Sequence, residues 1–292
     1  IVVNENKMYE NFVSILPGTT FQIAPKKNLI FKNKLIAKGT ENQPIVFRKQ
    51  GDENWGTIAL VGAKTSGSVL KNVKFYGGSG GNFEQYRFTS TLSLHNTSNI
   101  SLDKSEFYNN KIYDDVIHVI YCEDIKLNNL IIKNSYGDSI DVDISKNIKI
   151  LNSKFINSGN DSIDFMESSG LVKNNYISKS GDKGVSVGEN SVVNFENNFF
   201  ENNIIAIAVK DKSYSNVKKN KFKNNNIHIS AYPKNWRYGG GGNVDIVDSD
   251  FISISKNNFE EFQNSKIEIS NSNFSGEKNF LKKEMAISKN DK

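Results

Sequence analysis

Four charged residues, Asp115, Asp138, Asp161 and Lys183, follow one another at intervals of 23, 23 and 22 residues. A second series, His118, Asp141, Asp164 and Ser186, keeps the same step, and Asp143 and Glu189 extend the polar set. If each step is one turn of a solenoid, like residues lie about 4.8 Å apart. Two carboxylates at that spacing repel by roughly 3 kcal/mol at an effective dielectric near 20. Something must offset this: protons held at raised pKa, a bound cation, or ion pairs to Lys183. Ca2+ suits the cation, since it takes oxygen ligands in flexible geometry. Asp115, Asp138, Asp161, Asp141 and Asp164 are its candidate ligands. The structural alternative is an aspartate ladder bonded to turn amides, with Lys183 as counter-ion to Asp161.

The elements that hold these columns are visible in the apolar residues. Ile117, Ile140, Ile163 and Val185 are 23, 23 and 22 residues apart, and Ile207 and Ile229 continue in steps of 22. Such a period indicates stacked units, none able to bury its apolar face alone. Within a unit, Ile140 to Ile144 alternates apolar and polar residues, the period of a strand and not of a helix. A second strand precedes each turn, carried by Phe107, Ile132, Phe155, Ile177, Phe200 and Phe222. The connecting segments are rich in Asn, Ser and Gly, which tolerate left-handed backbone or bond their own main chain. Leucine-rich repeats are excluded, because Leu-x-x-Leu-x-Leu is absent. The expected fold is an all-β parallel β-helix of about 22–23 residues per coil. Asn157, Asn174, Asn197 and Asn224 are expected in amide ladders at its bends.

We expect a single domain over 1–292, because a solenoid lengthens without dividing: opening coils and cap in 1–60, regular coils in 61–275, a C-terminal cap and tail in 276–292. Phe280, Leu281, Met285 and Ile287 form the apolar part of that cap, covering an open strand edge. Two stretches break the period, 77–90 and 231–243, and long loops on a rigid scaffold are where ligand contacts concentrate. The second carries Tyr232, Trp236, Arg237 and Tyr238 beside four glycines, a composition suited to stacking on sugar rings; the alternative is a loop anchored to the wall by Trp236.

Composition excludes several classes. One cysteine, Cys122, rules out a disulfide framework and cysteine metal sites. No run approaches a membrane span, and the first residues carry no signal-peptide pattern, so a secreted chain is present in its mature form. The net charge of +5 comes without a Lys/Arg cluster interleaved with aromatics, so no nucleic-acid partner is expected. His95 and His228 have no metal-ligand spacing with His118 and read as surface or turn residues. Oligomeric state has no signature here.

Pro17-Gly18-Thr19-Thr20, Leu35-Ile36-Ala37-Lys38-Gly39-Thr40, Pro44-Ile45-Val46-Phe47 and Trp55-Gly56 resemble the opening coils of secreted right-handed parallel β-helices of the pectin-lyase-like class. The charged strip is similar to polygalacturonase-type glycoside hydrolases, whose successive coils carry Asn-Thr-Asp, Gly-Asp-Asp, Gly-His-Gly and Arg-Ile-Lys. Asp138 falls at the first, Asn160-Asp161 at the second, Lys183-Gly184 at the third and Val209-Lys210 at the end of the fourth. Asn160, Lys183 and Ala208 depart from that pattern, and losing the paired acid removes the residue that would activate water for inversion. Lyases and epimerases of the same fold, which take a proton from beside a uronate carboxylate, fit the residues better. That resemblance implies a polysaccharide substrate, acidic in type, outside the cell or at its surface. It also implies Ca2+ held by the aspartates, Lys183 as base, His118 or Tyr136 as proton donor, Asp138 and Asp161 at the reacting centre, and Lys210 toward the substrate. The rival is a non-catalytic surface or glycan-binding β-helix.

Overall fold

The computed structural model describes residues 1–283; Met285 and Ile287, expected in the capping patch, lie outside them. The chain is nearly all β, about 12 parallel coils wound into a right-handed β-helix. Among the described residues the helical segments are two single 3-10 turns, Ala63–Thr65 and Trp236–Tyr238. No helix is long and apolar enough to cross a membrane.

Each coil has three strands where the sequence shows two. Two of the ladders merge into a 22-stranded sheet through the long strand Asp250–Phe262, which pairs with Lys221–Lys223 at one end and with Ile227–Tyr232 at the other. The third ladder has 11 strands, from Val13–Ile15 to Lys266–Ser270. Its strands set few inward residues, such as Leu127, Ile150, Val172 and Phe195, among lysines and asparagines. So brief an alternation escapes a periodicity reading.

The ladder that matters for function runs through Ser90–His95, Asp115–Ile120, Ile140–Asp143, Ile163–Met166, Lys183–Gly188 and Ile205–Lys210. Its register is that of the repeat: Ile117 pairs with Ile140, Ile140 with Ile163, Ile163 with Val185, and Val185 with Ile207. These residues are fully buried. On the second face Phe21, Phe47, Phe75 and Phe107 stack with ring centroids 4.8, 5.4 and 4.4 Å apart, which adds directional ring packing to simple burial. Residues 277–283 are strand as well, since Asn273–Lys283 pairs with Asp250–Phe262.

Asparagines serve the turns in two ways. Asn157 and Asn224, and separately Asn174 and Asn197, sit at left-handed turn positions, where Asn157 donates to Asn134 at 2.8 Å and Asn174 to Asn152 at 3.1 Å. A second set, Asn175, Asn198 and Asn220, is buried inside the solenoid. Asn198 Oδ1 accepts the Asn175 N–H at 2.9 Å while its Nδ2 donates to the Val172 carbonyl at 2.8 Å. The inner set thereby satisfies main-chain groups that have lost their strand partners at a bend. His228, expected at the surface, is fully buried among Phe222, Phe251 and Phe259, with Asn257 at 3.0 Å. Burial pushes its pKa down to about 4. His95 is mostly covered too, beside Phe88.

Asn198→Ala is expected to cost about 2–4 kcal/mol, because it strands a buried N–H and a buried carbonyl at roughly 1–3 kcal/mol each. Asn157→Ala, at an exposed left-handed turn, should cost about 1 kcal/mol. Urea midpoints of the two variants check the contrast; equal losses would mean that the inner amides do not act by satisfying the main chain.

Candidate functional site

The outward face of this ladder carries a continuous row, Ile30, Ala59, Ser93, His118, Asp141, Asp164, Ser186, Ala208, Ser230 and Glu260. It starts apolar, becomes acidic over the middle coils and ends small and polar. The apolar start is roofed by the 77–90 insertion, an antiparallel hairpin of Gly81–Phe83 and Tyr86–Phe88. Phe88 from that hairpin is fully buried with Ile30, Ala59 and Val61. A wall therefore stands at one end of the acidic strip.

The column Asp115, Asp138, Asp161, Lys183 forms as the spacing requires, at the mouth of each strand, and all four residues are buried. Part of its role is structural. Asp138 Oδ1 accepts the Asp161 N–H at 2.7 Å and the Asn160 amide at 2.8 Å; Asp161 Oδ1 accepts the Lys183 N–H at 2.8 Å. Each carboxylate thus pins the coil that follows. Asp115 Oδ2 instead accepts from Thr89 Oγ1 at 2.7 Å, and the same hydroxyl lies 3.4 Å from His118 Nδ1. The other edge of His118 faces Asp143 at 3.3 Å and Asp141 at 3.8 Å.

Two groups of ligand atoms converge. Asp138, Asp161 and Asp164 each bring a carboxylate oxygen within 4.8 Å of the others, and so do His118, Asp141 and Asp143 with one atom each. Of the five expected cation ligands, three are thus brought together, Asp141 faces His118, and Asp115 turns to Thr89. Asp164 Oδ1 and the fully buried Ser186 Oγ, neighbours in one register, have no hydrogen-bond partner among the described residues. A hard cation beside Asp164 would satisfy such an enclosed oxygen, so the donor set fits Ca2+.

Burial and mutual repulsion push the carboxyls' protons up. Asp115 is raised to about 7, chiefly by burial. Asp138 rises to about 6 and Asp161 to about 7, burial again leading. Asp141, partly buried and facing Asp115, Asp143 and Asp164, is raised to about 10, desolvation leading. Lys183 goes the other way for a base. Its Nζ lies 3.6 Å from Asp161 and contacts Asp182, and despite the opposing effect of burial these carboxylates raise its pKa. It is a held counter-ion here.

The 231–243 segment is strand to Tyr232 and loop beyond. Its anchor is not Trp236, which is 85% exposed. Asp211 Oδ1 accepts the N–H groups of Lys234 and Asn235 at 2.6 and 2.7 Å, and Tyr238 donates to Glu167 at 2.8 Å. Arg237 is exposed beside the free indole. Tyr232 packs on Phe262 with centroids 5.8 Å apart and, with Lys183, Lys234 and Ser230, lines a cavity of about 400 Å³ at the far end of the strip. Lys210 is buried next to Gly188, where any side chain would strike it. Sequence reasoning missed Thr89, which joins Asp115 to His118, since it lies in the irregular insertion, and missed Asp211, one residue past Lys210.

A family model described as a right handed beta helix region matches residues 90–239, just over half of the chain. No curated protein sequence matches. Among solved structures, PfbA, a surface adhesin of Streptococcus pneumoniae, is similar at a TM-score of 0.53 and 14% identity, over 98% of this chain and 85% of that one. The catalytic domain of a GH87 α-1,3-glucanase in complex with nigerose gives 0.53 and 9%, over 95% and 68%. An alginate lyase from Paenibacillus sp. str. FPU-7 gives 0.43 and 15%, over 90% and 93%. At these identities the likeness is one of fold.

The raised carboxyl of Asp115 has a thermodynamic signature. Between its ordinary value of 3.8 and about 7 the folded state holds a proton that the unfolded state has lost, so stability falls as pH rises through that window. Asp115→Asn should therefore be more stable than the parent by about 1–3 kcal/mol at pH near 8, with the difference vanishing near pH 4. Urea unfolding at the two pH values, in chelator, measures it.

Proposed function

The chain belongs to the right-handed β-helix family, and on that footing we propose that it is a secreted or surface carbohydrate-active protein working on a polysaccharide laid along the acidic strip. The observation that carries this reading is His118 flanked by Asp141 and Asp143 and joined through Thr89 Oγ1 to Asp115, whose proton burial holds near neutral pH. General acid–base catalysis needs groups poised in that range. The hairpin at one end and the 231–243 loop at the other bound the strip, and the exposed Tyr136 and Trp236 offer flat apolar faces beside it.

The substrate class we propose is an acidic glycan and the reaction β-elimination or epimerisation. Both begin with loss of a proton from the carbon beside a uronate carboxylate. Asp138, Asp161 and Asp164 would hold a divalent cation of the Ca2+ type. When bound, such a cation neutralises the uronate charge and lowers the cost of the carbanion. Lys183, paired on two sides, retains its proton, so we reassign proton acceptance to His118, which Thr89 and Asp143 orient. Asp115, joined to His118 through Thr89 Oγ1, is the matching donor. Lys183, Lys210 and Lys234 supply positive charge toward the far end of the strip.

A second reading, a glycan-binding surface β-helix without catalysis, is favoured by one observation: Asp138 and Asp161 spend oxygens on amides of the next coil, as a purely structural ladder would. One experiment separates the readings. Purified protein is incubated with polygalacturonate, alginate, hyaluronan and α-1,3-glucan, with Ca2+ and with chelator, following ultraviolet absorbance of unsaturated product, uronate epimer ratios and new reducing ends. The proposal expects unsaturated or epimerised product that chelator suppresses and that falls at least ~100-fold in His118→Ala, the lower end of a general acid–base contribution. Reducing ends without absorbance would make it a hydrolase, and binding without turnover would establish the second reading. Trp236→Ala should weaken glycan binding by about 1 kcal/mol or more, the scale of a stacked ring, and leave the urea midpoint unchanged.

A further inference from the structure

The turn that follows each outward strand places one residue at left-handed backbone, and the stacked coils line these residues into a ridge along the strip. Its members are Asn96, Tyr121, Ile144, Glu167, Glu189 and Asp211, with φ of 54°, 54°, 45°, 47°, 54° and 53°. Asparagine tolerates this conformation; tyrosine and, above all, β-branched isoleucine do not. Elsewhere in this solenoid the left-handed turn positions are mostly asparagine, so on two adjacent coils the chain carries residues that the local backbone disfavours. Packing does not explain them, because Tyr121 is 59% exposed and Ile144 37%. Strain kept at an exposed position that contributes nothing to the core points to use by a ligand.

The surroundings define what that ligand is. Tyr121 and Ile144 line a groove of about 390 Å³ whose other walls include Ala63, Asn96, Thr97 and Lys146, with the Glu123 carboxylate beside them. Its floor is mixed, with an aromatic ring, one aliphatic side chain, an amide, a hydroxyl and an ammonium, which is how proteins hold a pyranose: ring face on ring face, hydroxyls on amide and hydroxyl groups. The groove lies one residue beyond the strand that carries His118, since Tyr121 follows Ile120, whose register partner is Asp143. Along the same ridge, Glu167 and Asp211 are held by the loop that presents Trp236. Aromatic faces at Tyr121 and Trp236 therefore stand on one flank of the strip, several coils apart.

Resting on the polysaccharide reading above, we propose that the Tyr121–Ile144 groove is an accessory glycan subsite. It takes a sugar ring of the same polysaccharide remote from the reacting unit, with Tyr121 as the stacking platform and Asn96 and Lys146 as polar contacts. The subsite makes the protein prefer long chains to short ones, because only a long chain reaches both the strip and the groove.

The test compares Tyr121→Ala and Ile144→Asn with the full wild-type chain by calorimetric binding of disaccharide and of octasaccharide prepared from whichever polymer of the panel the wild type binds. Tyr121→Ala is expected to weaken the octasaccharide at least fivefold and leave the disaccharide unchanged. Ile144→Asn relieves the turn, so its thermal midpoint should rise while octasaccharide affinity falls. Equal affinities of wild type and Tyr121→Ala for the octasaccharide overturn the subsite and leave the polysaccharide reading standing. Failure of the wild type to bind any of the four polymers overturns both. Because the readout is binding, the outcome does not depend on turnover.

Discussion

Everything in this molecule follows from the main-chain hydrogen bonds between one coil and the next. A parallel ladder fixes register, so a residue type repeated at the period becomes a physical column whether or not its members attract. Where the column is Ile, Phe or Asn the neighbours help each other. Where it is Asp they repel, by an amount comparable with what burying one large apolar side chain contributes, about 1.5–3 kcal/mol. The Asp138, Asp161 and Asp164 group therefore exists at the expense of the coils that carry it. Those coils are also where the inward columns are continuous and fully buried, with Ile117, Ile140, Ile163 and Val185 beneath the acids.

The columns answer the repulsion in different ways along their length. Asp138 and Asp161 each accept an amide N–H from the next coil, an interaction that favours the charged form. Asp161 also has Lys183. Asp141 has no donor within hydrogen-bond distance among the described residues and faces four other carboxyls, so it is the group raised furthest. Within the first column Asp115, Asp138 and Asp161 lie close together, at about 7, 6 and 7. The contrast is with Asp141 of the adjacent row, raised to about 10, and a contrast of that kind is what a site needs if one group is to give a proton while its neighbour stays charged.

Much of this was legible in the chain. The repeat sets both the inward columns and the acid columns, because a period is read directly from residue spacing. Phe21, Ile23, Leu29, Phe31 and Leu35 are inward as their alternation implies. What escaped was whatever has no period. The third strand of each coil is too short to alternate. Thr89 and the hairpin before it belong to an insertion, so nothing in their spacing ties Thr89 to Asp115 and His118. His228 reads as a surface or turn residue because it has no metal-ligand spacing with His118, yet Asn257 and Ser253 supply polar partners inside the solenoid. The carboxyl environments were foreseeable only as a sum of repulsions; which acid would find an amide depended on bends that the sequence does not describe.

The departure of Lys183 from the role its position suggested illustrates how a column constrains chemistry. A lysine can act as a base when it is desolvated away from negative charge, so that losing a proton removes a buried cation. Lys183 is desolvated, but it is stacked on Asp161 and preceded by Asp182. Losing its proton would leave both carboxylates without their counter-ion, and their pull on the proton outweighs the opposing effect of burial. The imidazole of His118 is placed differently, with Asp141 and Asp143 at one edge and the Thr89 hydroxyl at the other. A column that terminates an acidic run with lysine closes the run electrostatically, and this is why the function proposed above assigns the reactive proton to the adjacent row.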